Sequence, residues 1–397
     1  MEFKFKDAVN FFNGNEIEKA QSVCTEIIKK HPDHFDCLRL LNMIYYINKD
    51  FAKALKFINK AIRINPNYAE AYNEKGNALS ELKQLNAAIK NYDRAIEINP
   101  NYDNAFYNRG FVLQELFKLD DAVKSYDAVI KINPNYVQAY NNRGTALREL
   151  KKYDAALESY KKAFEIKPDL DFLLGQLIHT TNRICNWNSF NKNIKILKDK
   201  ILNKKNVTLP FLTLSLYDSP ILQKISAKTF VSEKFPLSES LGPITRKKSR
   251  KKIRIGYYSA DFHNHVMSYL LVDLFELHDR SAFEIFCFSF GPEKNDETRQ
   301  RIKNTFDKFI NIKFESNNEI ARLSRDLNID IAIDLMSFTR NNRFGIFVEK
   351  CAPIQINFLG YPGTSGSKCI DYIIADKTII PEKNQKYYSE KIVYMPD

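Results

Sequence analysis

The chain has 397 residues, which is enough for two or three domains that each bury a core. Its content of 44% hydrophobic and 27% charged residues is ordinary for a globular protein, and no apolar run approaches the roughly 20 residues of a membrane helix. The six cysteines show no CxxC spacing, which argues against a zinc site and a disulfide framework. Because we recognise no signal peptide, we predict a cytoplasmic protein without a membrane partner.

The net charge of +12 raises nucleic acid as a possible partner. Much of this charge is concentrated in residues 246–254, where seven of nine positions are lysine or arginine. Such runs are usually solvated linkers, and no nucleic-acid-binding motif accompanies this one. We therefore do not expect a nucleic-acid-binding protein.

Residues 1–168 repeat with a period of 34 residues, most plainly in the near copies INPNYAEAY, INPNYDNAF and INPNYVQAY. This period is the tetratricopeptide signature of two antiparallel helices per repeat. We predict an α-solenoid of about five repeats, the first of them degenerate, with Asn42 in the slot that glycine fills elsewhere. The residues that recur at this step are Pro32, Pro66, Pro100, Pro134 and Pro168, Ala20, Ala54, Ala88, Ala122 and Ala156, and Gly76, Gly110 and Gly144.

The concave face of such a solenoid binds extended peptides or partner proteins. Glu74, Asn108 and Asn142 each stand two positions before the repeat glycine, and we expect them to project into this groove. Asparagine amides there are able to hold a peptide backbone without reading its sequence. The same residues are equally explained as solvated positions of a helix, so the sequence leaves both interpretations open.

Residues 169–250 keep helical spacing but lose the 34-residue period. We predict a helical region that caps the repeats and ends in the basic linker. Trp187, the only tryptophan, is interpreted as a core anchor of this region.

Residues 251–397 alternate between apolar strands and helical segments. The strands are continuously apolar, which indicates a parallel sheet covered on both faces, and a strand that runs into a polar loop and a helix is how a Rossmann-like layer begins. The predicted strands are Ile253–Tyr258, Phe283–Phe290, Phe309–Ile312, Ile329–Leu335 and Ile354–Leu359. The predicted helices are Met267–Leu277, Glu297–Phe306 and Asn318–Leu327, with one more before the last strand.

Two loops of this region are candidate sites, because Rossmann-like layers bind ligands at the carboxyl ends of their strands. The first follows the opening strand and carries His263 and His265, two of only six histidines. The second is GYPGTSG, residues 360–366, a turn that exposes its backbone. It matches neither the dinucleotide nor the P-loop fingerprint.

Taken in order, the repeats, CNW, IRIGYYSADFHNH, DLMSFTRNNR, APIQINFLGYPGTSGSKCIDYIIAD and YSEKIVYMP resemble the O-GlcNAc transferase family, with its SPINDLY-like members. The resemblance covers nearly the whole chain. It implies a GT-B glycosyltransferase that moves N-acetylglucosamine from UDP-GlcNAc to serine or threonine hydroxyls of proteins, with no cofactor and no metal ion. The implied fold is an α-solenoid followed by the first Rossmann-like half of a GT-B enzyme.

The resemblance also implies roles for individual residues. His265 matches the histidine of the family's DFxxH motif, close to acceptor and sugar, and a positioned imidazole suits the removal of a hydroxyl proton. Thr339 matches the threonine of the second active-site loop. The residues expected to line the same cleft are Asp261, Asn264, Gly360, Pro362, Gly363 and Thr364, and the chain departs from the family pattern at His263, Val266, Asp330 and Ser337.

In this family a second lobe binds the uridine and the pyrophosphate, and we expect that lobe to begin where this sequence ends, at Asp397. We therefore expect the chain alone to be inactive and to need a donor-binding lobe, which could be separately encoded. Two alternatives stay open: a non-catalytic peptide-binding scaffold, and a transferase of another sugar such as fucose.

Overall fold

The computed structural model describes residues 2–244 and 251–396 and divides into two compact units. One unit is Met1–Pro168 with Thr180–Cys185, and the other is Asp169–His179 with Asn186–Asp397. Of the predicted basic linker, residues 246–250 lie outside the described residues.

In the first unit, residues 2–168 form five successive pairs of helices, which confirms the tetratricopeptide prediction. The two helices of each pair are joined by a turn that contains one non-glycine residue with positive φ. These residues recur every 34 positions: Asn15, Lys49, Lys83, Phe117 and Lys151. The helices are α1 (Glu2–Asn13), α2 (Ile17–Lys30), α3 (Phe35–Ile47), α4 (Phe51–Ile64), α5 (Ala69–Glu81), α6 (Leu85–Ile98), α7 (Asp103–Glu115), α8 (Leu119–Ile132), α9 (Val137–Glu149) and α10 (Tyr153–Ile166).

A glycine of the first helix packs against a tyrosine of the second helix in the last three pairs. A Cβ atom on Gly76 would lie 2.5 Å from the ring of Tyr92, so any other residue would overlap the buried ring. Gly110 and Gly144 stand in the same relation to Tyr126 and Tyr160. The period in the sequence therefore reflects matched volumes at one contact.

The first two pairs fill the equivalent positions differently. Asn42 lies in the second pair, so its assignment to the first repeat was wrong, and the residue at the tyrosine position of that pair is Ile58. In the first pair the two positions hold Ala8 and Cys24. Compared with the glycine–tyrosine pairs, both of these pairs thus have a larger residue on the first helix and a smaller one on the second.

Residues 169–244 fold into α11 (Leu173–Arg183), α12 (Phe190–Leu202), α13 (Pro210–Leu216) and α14 (Pro220–Lys234). Ala227 and Val231 of α14 belong to the same buried cluster as residues of the sheet. The interpretation of Trp187 as a core anchor was wrong, because 55% of this residue is exposed and its ring contacts Phe190 edge-on at the surface.

The rest of the second unit is a seven-stranded parallel sheet with the order β3-β2-β1-β4-β5-β6-β7 among the described residues. The predicted fold class, a tetratricopeptide solenoid followed by a Rossmann-like sheet, is confirmed. The strands are β1 (Ile253–Ser259), β2 (Phe283–Ser289), β3 (Lys308–Asn311), β4 (Ile331–Asp334), β5 (Ile354–Phe358), β6 (Tyr372–Ala375) and β7 (Lys391–Tyr394). The helices are α15 (Val266–Glu276), α16 (Glu297–Thr305), α17 (Asn317–Asp326) and α18 (Gly345–Val348), with a 3-10 helix at Glu382–Tyr387.

Both faces of the sheet are covered, as the continuous apolar strands predicted. One core lies on the side of α15 and α16 and includes Tyr257 and Phe275. The other includes Tyr258 and residues of α14, α17 and α18. Adjacent residues of β1 thus point into opposite cores, which fixes the orientation of the loop that follows this strand.

Candidate functional site

The candidate site lies where the order of the strands reverses. Strands β1, β2 and β3 extend to one side and β4 to β7 to the other, so β1 and β4 are neighbours although other strands and helices separate them in sequence. Open α/β sheets bind ligands outside the carboxyl ends of the strands at this switch point. Residues 260–265 and 335–341 follow these two strand ends, and both loops were predicted as part of the site.

His265 stands at the N-terminus of α15, with extended backbone and its side chain as the helix cap. The backbone N–H of Met267 donates to His265 Nδ1 at 3.3 Å, and Asp261 Oδ2 lies 3.6 Å from the same nitrogen. The His265 side chain is 42% exposed and that of Asp261 17%, so solvent and a ligand can reach the imidazole. The structure thus brings together two of the predicted residues, His265 and Asp261.

The position of the hydrogen on His265 decides what this imidazole can do. With Nδ1 accepting from Met267, a neutral ring carries its hydrogen on Nε2 and donates a hydrogen bond from there. With Nδ1–H directed at Asp261 instead, Nε2 is free to take a proton. One side chain can therefore serve as a donor or as a base, according to whether Nδ1 accepts from Met267 or directs its hydrogen at Asp261.

Burial raises the pKa of the Asp261 carboxyl, against the opposing effects of His265 and His263. Burial lowers the pKa of His263, which packs beside His265 with a distance of 5.8 Å between ring centroids. His263 is only 6% exposed and its Nδ1 lies 3.1 Å from the Asn264 carbonyl oxygen. Of the two histidines in the loop, His265 is therefore the one open to a ligand.

Three side chains from outside the motif hold this loop in place. Buried Arg299 donates from Nη1 to the Phe262 carbonyl at 2.9 Å, and Asp296 accepts from the Asn264 N–H at 3.0 Å. Ser268 Oγ donates to the Asp261 carbonyl at 2.6 Å. Asn264, predicted to line the cleft, is exposed. Its backbone N–H is bonded to Asp296, the residue that caps the N-terminus of α16.

The second loop is shaped by Asp334, the last residue of β4. Its Oδ1 accepts from the backbone N–H groups of Met336 at 2.9 Å and Ser337 at 3.0 Å, and Ser337 adopts φ of 46°. Burial raises the pKa of Asp334 to about 6. Thr339 follows in this turn, where its hydroxyl donates to the Met336 carbonyl at 2.9 Å.

The loops after β1, β4 and β5 contact one another. Ser259 Oγ, at the end of β1, donates to Met336 Sδ in the loop after β4 at 3.3 Å. A Cβ atom on Gly360 would lie 2.0 Å from the Leu335 carbonyl oxygen, so the third loop reaches the end of β4 by a backbone contact that only glycine permits.

The GYPGTSG loop is hydrogen-bonded to the residues just before β7. Thr364 is buried, and its hydroxyl donates to Glu390 Oε2 at 2.7 Å, while the Ser365 N–H donates to Glu390 Oε1 at 2.6 Å. The Pro362 carbonyl accepts from the hydroxyl of Tyr388 at 2.9 Å. Of the residues predicted to line the cleft, Gly360 and Pro362 are half-buried, whereas Gly363 and Thr364 are buried.

The predicted groove residues belong to the first unit, and each has a partner within it. Glu74 accepts from Arg39 and from Asn42, and Asn108 Nδ2 donates to Asn73 Oδ1 at 3.0 Å and Asn77 Oδ1 at 3.1 Å. Asn142 Nδ2 donates to the Tyr107 hydroxyl at 3.0 Å. The amides thus form a network that runs from one first helix to the next.

Within residues 2–244 and 251–396, no group of three or more His, Cys, Asp or Glu side chains is arranged to hold a metal ion. In the same ranges, no helix combines the length and the apolar character that crossing a membrane requires.

The helical pairs and the parallel sheet with its switch-point loops define a class, that of tetratricopeptide-repeat proteins that carry a Rossmann-like lobe. Residues 228–397 match the family described as glycosyl transferase family 41. Tetratricopeptide-repeat families match residues 8–69, 57–90, 76–116, 118–147 and 137–170. These matches confirm the resemblance to the O-GlcNAc transferase family and show that the C-terminal region is of the glycosyltransferase type.

Relatives of the chain have names that agree with this family. The chain is 33% identical over 235 residues to the probable UDP-N-acetylglucosamine–peptide N-acetylglucosaminyltransferase SEC of Arabidopsis thaliana, covering 55% of this chain and 24% of the relative. It is 35% identical over 147 residues to the UDP-N-acetylglucosamine–peptide N-acetylglucosaminyltransferase of Caenorhabditis elegans, covering 37% of this chain and 13% of the relative. The chain therefore spans a quarter or less of these two relatives.

A solved structure with the same fold is a mutant of Thermobaculum terrenum O-GlcNAc transferase. The TM-score is 0.53 and the identity 21%, and the match covers 83% of this chain and 57% of the other. At this identity the likeness concerns the fold, and it extends over both units of the chain.

Proposed function

We propose that this chain supplies the repeats and the acceptor-side lobe of a protein glycosyltransferase that transfers N-acetylglucosamine from UDP-GlcNAc to serine or threonine hydroxyls. The observation that carries the proposal is the solvent-accessible His265 beside Asp261 at the switch point, inside the region that matches glycosyl transferase family 41. The names of the two relatives support UDP-GlcNAc as the donor and a peptide as the acceptor.

The proposed reaction is a displacement at the anomeric carbon of the sugar. The acceptor hydroxyl oxygen forms a bond to this carbon while the bond to the phosphate oxygen breaks, and UDP leaves with the electron pair. His265 Nε2 takes the hydroxyl proton in the tautomer that directs Nδ1–H at Asp261, which lies 3.6 Å away. Asp261 then stabilises the imidazolium that results.

The surrounding residues act by position in this proposal. Arg299 and Asp296 hold the backbone of the loop, so that His265 is already in position before the acceptor binds. Thr339 presents its side chain from the turn that Asp334 shapes. No resident metal or cofactor is required, so chelation of divalent cations is expected to leave the rate unchanged.

We further propose that the repeats hold the protein acceptor and that the protein works in the cytoplasm. The tetratricopeptide matches support a protein or peptide partner. The scattered cysteines favour a reducing compartment.

The proposal is tested with the protein expressed from its complete coding sequence. The protein is incubated with a serine-containing acceptor and either UDP-GlcNAc or GDP-fucose, and the mass of the acceptor is measured by mass spectrometry. We expect the mass increment of one N-acetylhexosamine with UDP-GlcNAc. Modification only by GDP-fucose would show that the donor sugar is fucose. No modification by either donor, even after a separately encoded donor-binding lobe is added, would favour the non-catalytic scaffold.

A further inference from the structure

A pocket of about 220 Å³ opens in the first unit between α3 and α5. Its lining residues are Asn42, Met43, Tyr46, Ile47, Glu74 and Asn77. The volume is below the ~300–1,000 Å³ of pockets that enclose a drug-sized ligand. It is suited to a single amino-acid side chain.

The repeat itself shows that this pocket is unusual. The positions equivalent to Ile47 in the next three pairs, at steps of 34 residues, all hold glutamate, namely Glu81, Glu115 and Glu149. Ile47 is nevertheless 53% exposed, so burial within the fold does not explain why an isoleucine replaces the glutamate at this position.

The two neighbouring positions follow the same trend. Tyr46 stands where the later pairs have Ser80, Gln114 and Arg148. Met43, which is 38% exposed, stands where they have Asn77, Phe111 and Thr145. The second pair therefore presents three adjacent apolar or aromatic residues on a surface that is mostly polar in the other pairs.

A polar group without a partner lies beside this apolar surface. Asn42 is 2% exposed, and its Nδ2 donates to Glu74 Oε2 at 3.0 Å, but its Oδ1 accepts no hydrogen bond among the described residues. A buried acceptor left unbonded is costly, so this atom favours a ligand that brings a donor. Arg39 forms an ion pair with the other carboxylate oxygen, Glu74 Oε1, so the charge of the carboxylate in the pocket wall is already balanced.

We propose that Met43, Tyr46 and Ile47 form a subsite for one aliphatic or aromatic side chain of an extended peptide, with a peptide N–H donating to Asn42 Oδ1. A peptide is the ligand that places a donor next to an apolar side chain at every residue. The inference rests on the proposed function, in which the repeats hold the acceptor protein, and it adds that acceptors carry an apolar anchor residue.

The test uses substitutions taken from the protein's own repeats. Ile47→Glu and Met43→Asn introduce the residues of the next pair at the same positions, so folding is expected to be preserved and is checked by circular dichroism. Ile64→Glu is the matched control, because Ile64 is 40% exposed in the same pair but does not line the pocket. The probe is a random library of short linear peptides displayed on phage and selected on the purified wild-type chain.

We expect the selected peptides to share Leu, Ile, Met or Phe at one position, and Ile47→Glu to weaken their binding about tenfold or more while Ile64→Glu does not. Selected peptides without an apolar position, weakened by Asn142→Ala but not by Ile47→Glu, would overturn the subsite and leave the proposed peptide groove in place. Failure to select any peptide that a groove substitution weakens would overturn both.

Discussion

Asp334 determines the shape of the loop that carries Thr339, and it does so with a buried carboxylate. One oxygen accepts two backbone N–H groups, whereas Oδ2 has no partner among the described residues. The hydrogen bonds favour the charged form, but burial outweighs them and raises the pKa to about 6. The residue therefore lowers the stability of the fold at neutral pH in return for a fixed turn next to the switch point.

Replacing Asp334 with asparagine tests this account. The folded protein holds the Asp334 proton more tightly than the unfolded chain, so this group makes the free energy of unfolding fall as pH rises from 3.8 to about 6. The asparagine side chain would not titrate, yet its Oδ1 can still accept both N–H groups. Relative to Asp334→Asn, the free energy of unfolding of the wild type is thus expected to fall by about 3 kcal/mol across this interval. Above the interval, the difference in free energy of unfolding between the two proteins is expected to stay constant.

The measurement is urea unfolding of both proteins, followed by circular dichroism, at several pH values from about 3 to about 7.5. A difference between wild type and Asp334→Asn that does not change with pH would show that the buried carboxyl does not titrate in this range. The exposed Asp326→Asn substitution controls for the general loss of a negative charge.

Some of the site residues could be predicted from the sequence and others could not. His265, Asp261 and Thr339 stand in or next to recognisable motifs at strand ends. Arg299 and Glu390 look like ordinary charged residues, and only their exposed fractions of 3% and 6% distinguish them. Arg299 binds a partner 37 residues away in sequence and Glu390 one 26 residues away, distances at which no local pattern reveals a contact.

At the scale of elements, the glycine–tyrosine contact explains why the tetratricopeptide period is so visible. Gly76 can be nothing larger because the Tyr92 ring fills the space that a Cβ atom would take. The first pair has Ala8 and Cys24 at the same two positions, so a larger residue on the first helix is compatible with a smaller one on the second. The contact is thus a property of the two residues together.

The effect of Gly76→Ala on the free energy of unfolding is predicted to depend on whether Tyr92 is present. Gly76→Ala alone is expected to lower the free energy of unfolding by about 1–2 kcal/mol, because overpacking outweighs the better helix propensity of alanine. In a Tyr92→Cys background the overlap is removed, and Gly76→Ala is expected to be neutral or stabilising. Urea unfolding of the four proteins measures the coupling, and additive effects would contradict the packing account.

The predicted elements agree with the structure where the apolar runs are long. Strands β1 and β2 have seven residues each with five buried, and their prediction was off by one residue at one end. Strands β6 and β7 were not predicted; each has four residues, and β7 at the sheet edge buries none fully. The equally short β3 and β4 were predicted, so the length of a strand does not alone decide whether its apolar pattern is recognised.

At the scale of the whole chain, the fold class was predictable but the site geometry was not. A 34-residue period and continuous apolar strands indicate a solenoid and a parallel sheet without further information. The order of the strands is set by pairing between distant segments, such as Tyr258 of β1 with Asp334 of β4. Only this pairing places the His265 loop beside the Thr339 loop.

The central claim, that His265 removes the proton of the acceptor hydroxyl, is tested most directly by one rate comparison. The initial rate of N-acetylglucosamine transfer from UDP-GlcNAc is measured for the complete protein, for His265→Gln, and for His31→Gln as an exposed control. Glutamine can still accept from Met267 but cannot take a proton at neutral pH. We predict a loss of about 100-fold or more for His265→Gln alone, and an unchanged rate for this variant would contradict the account.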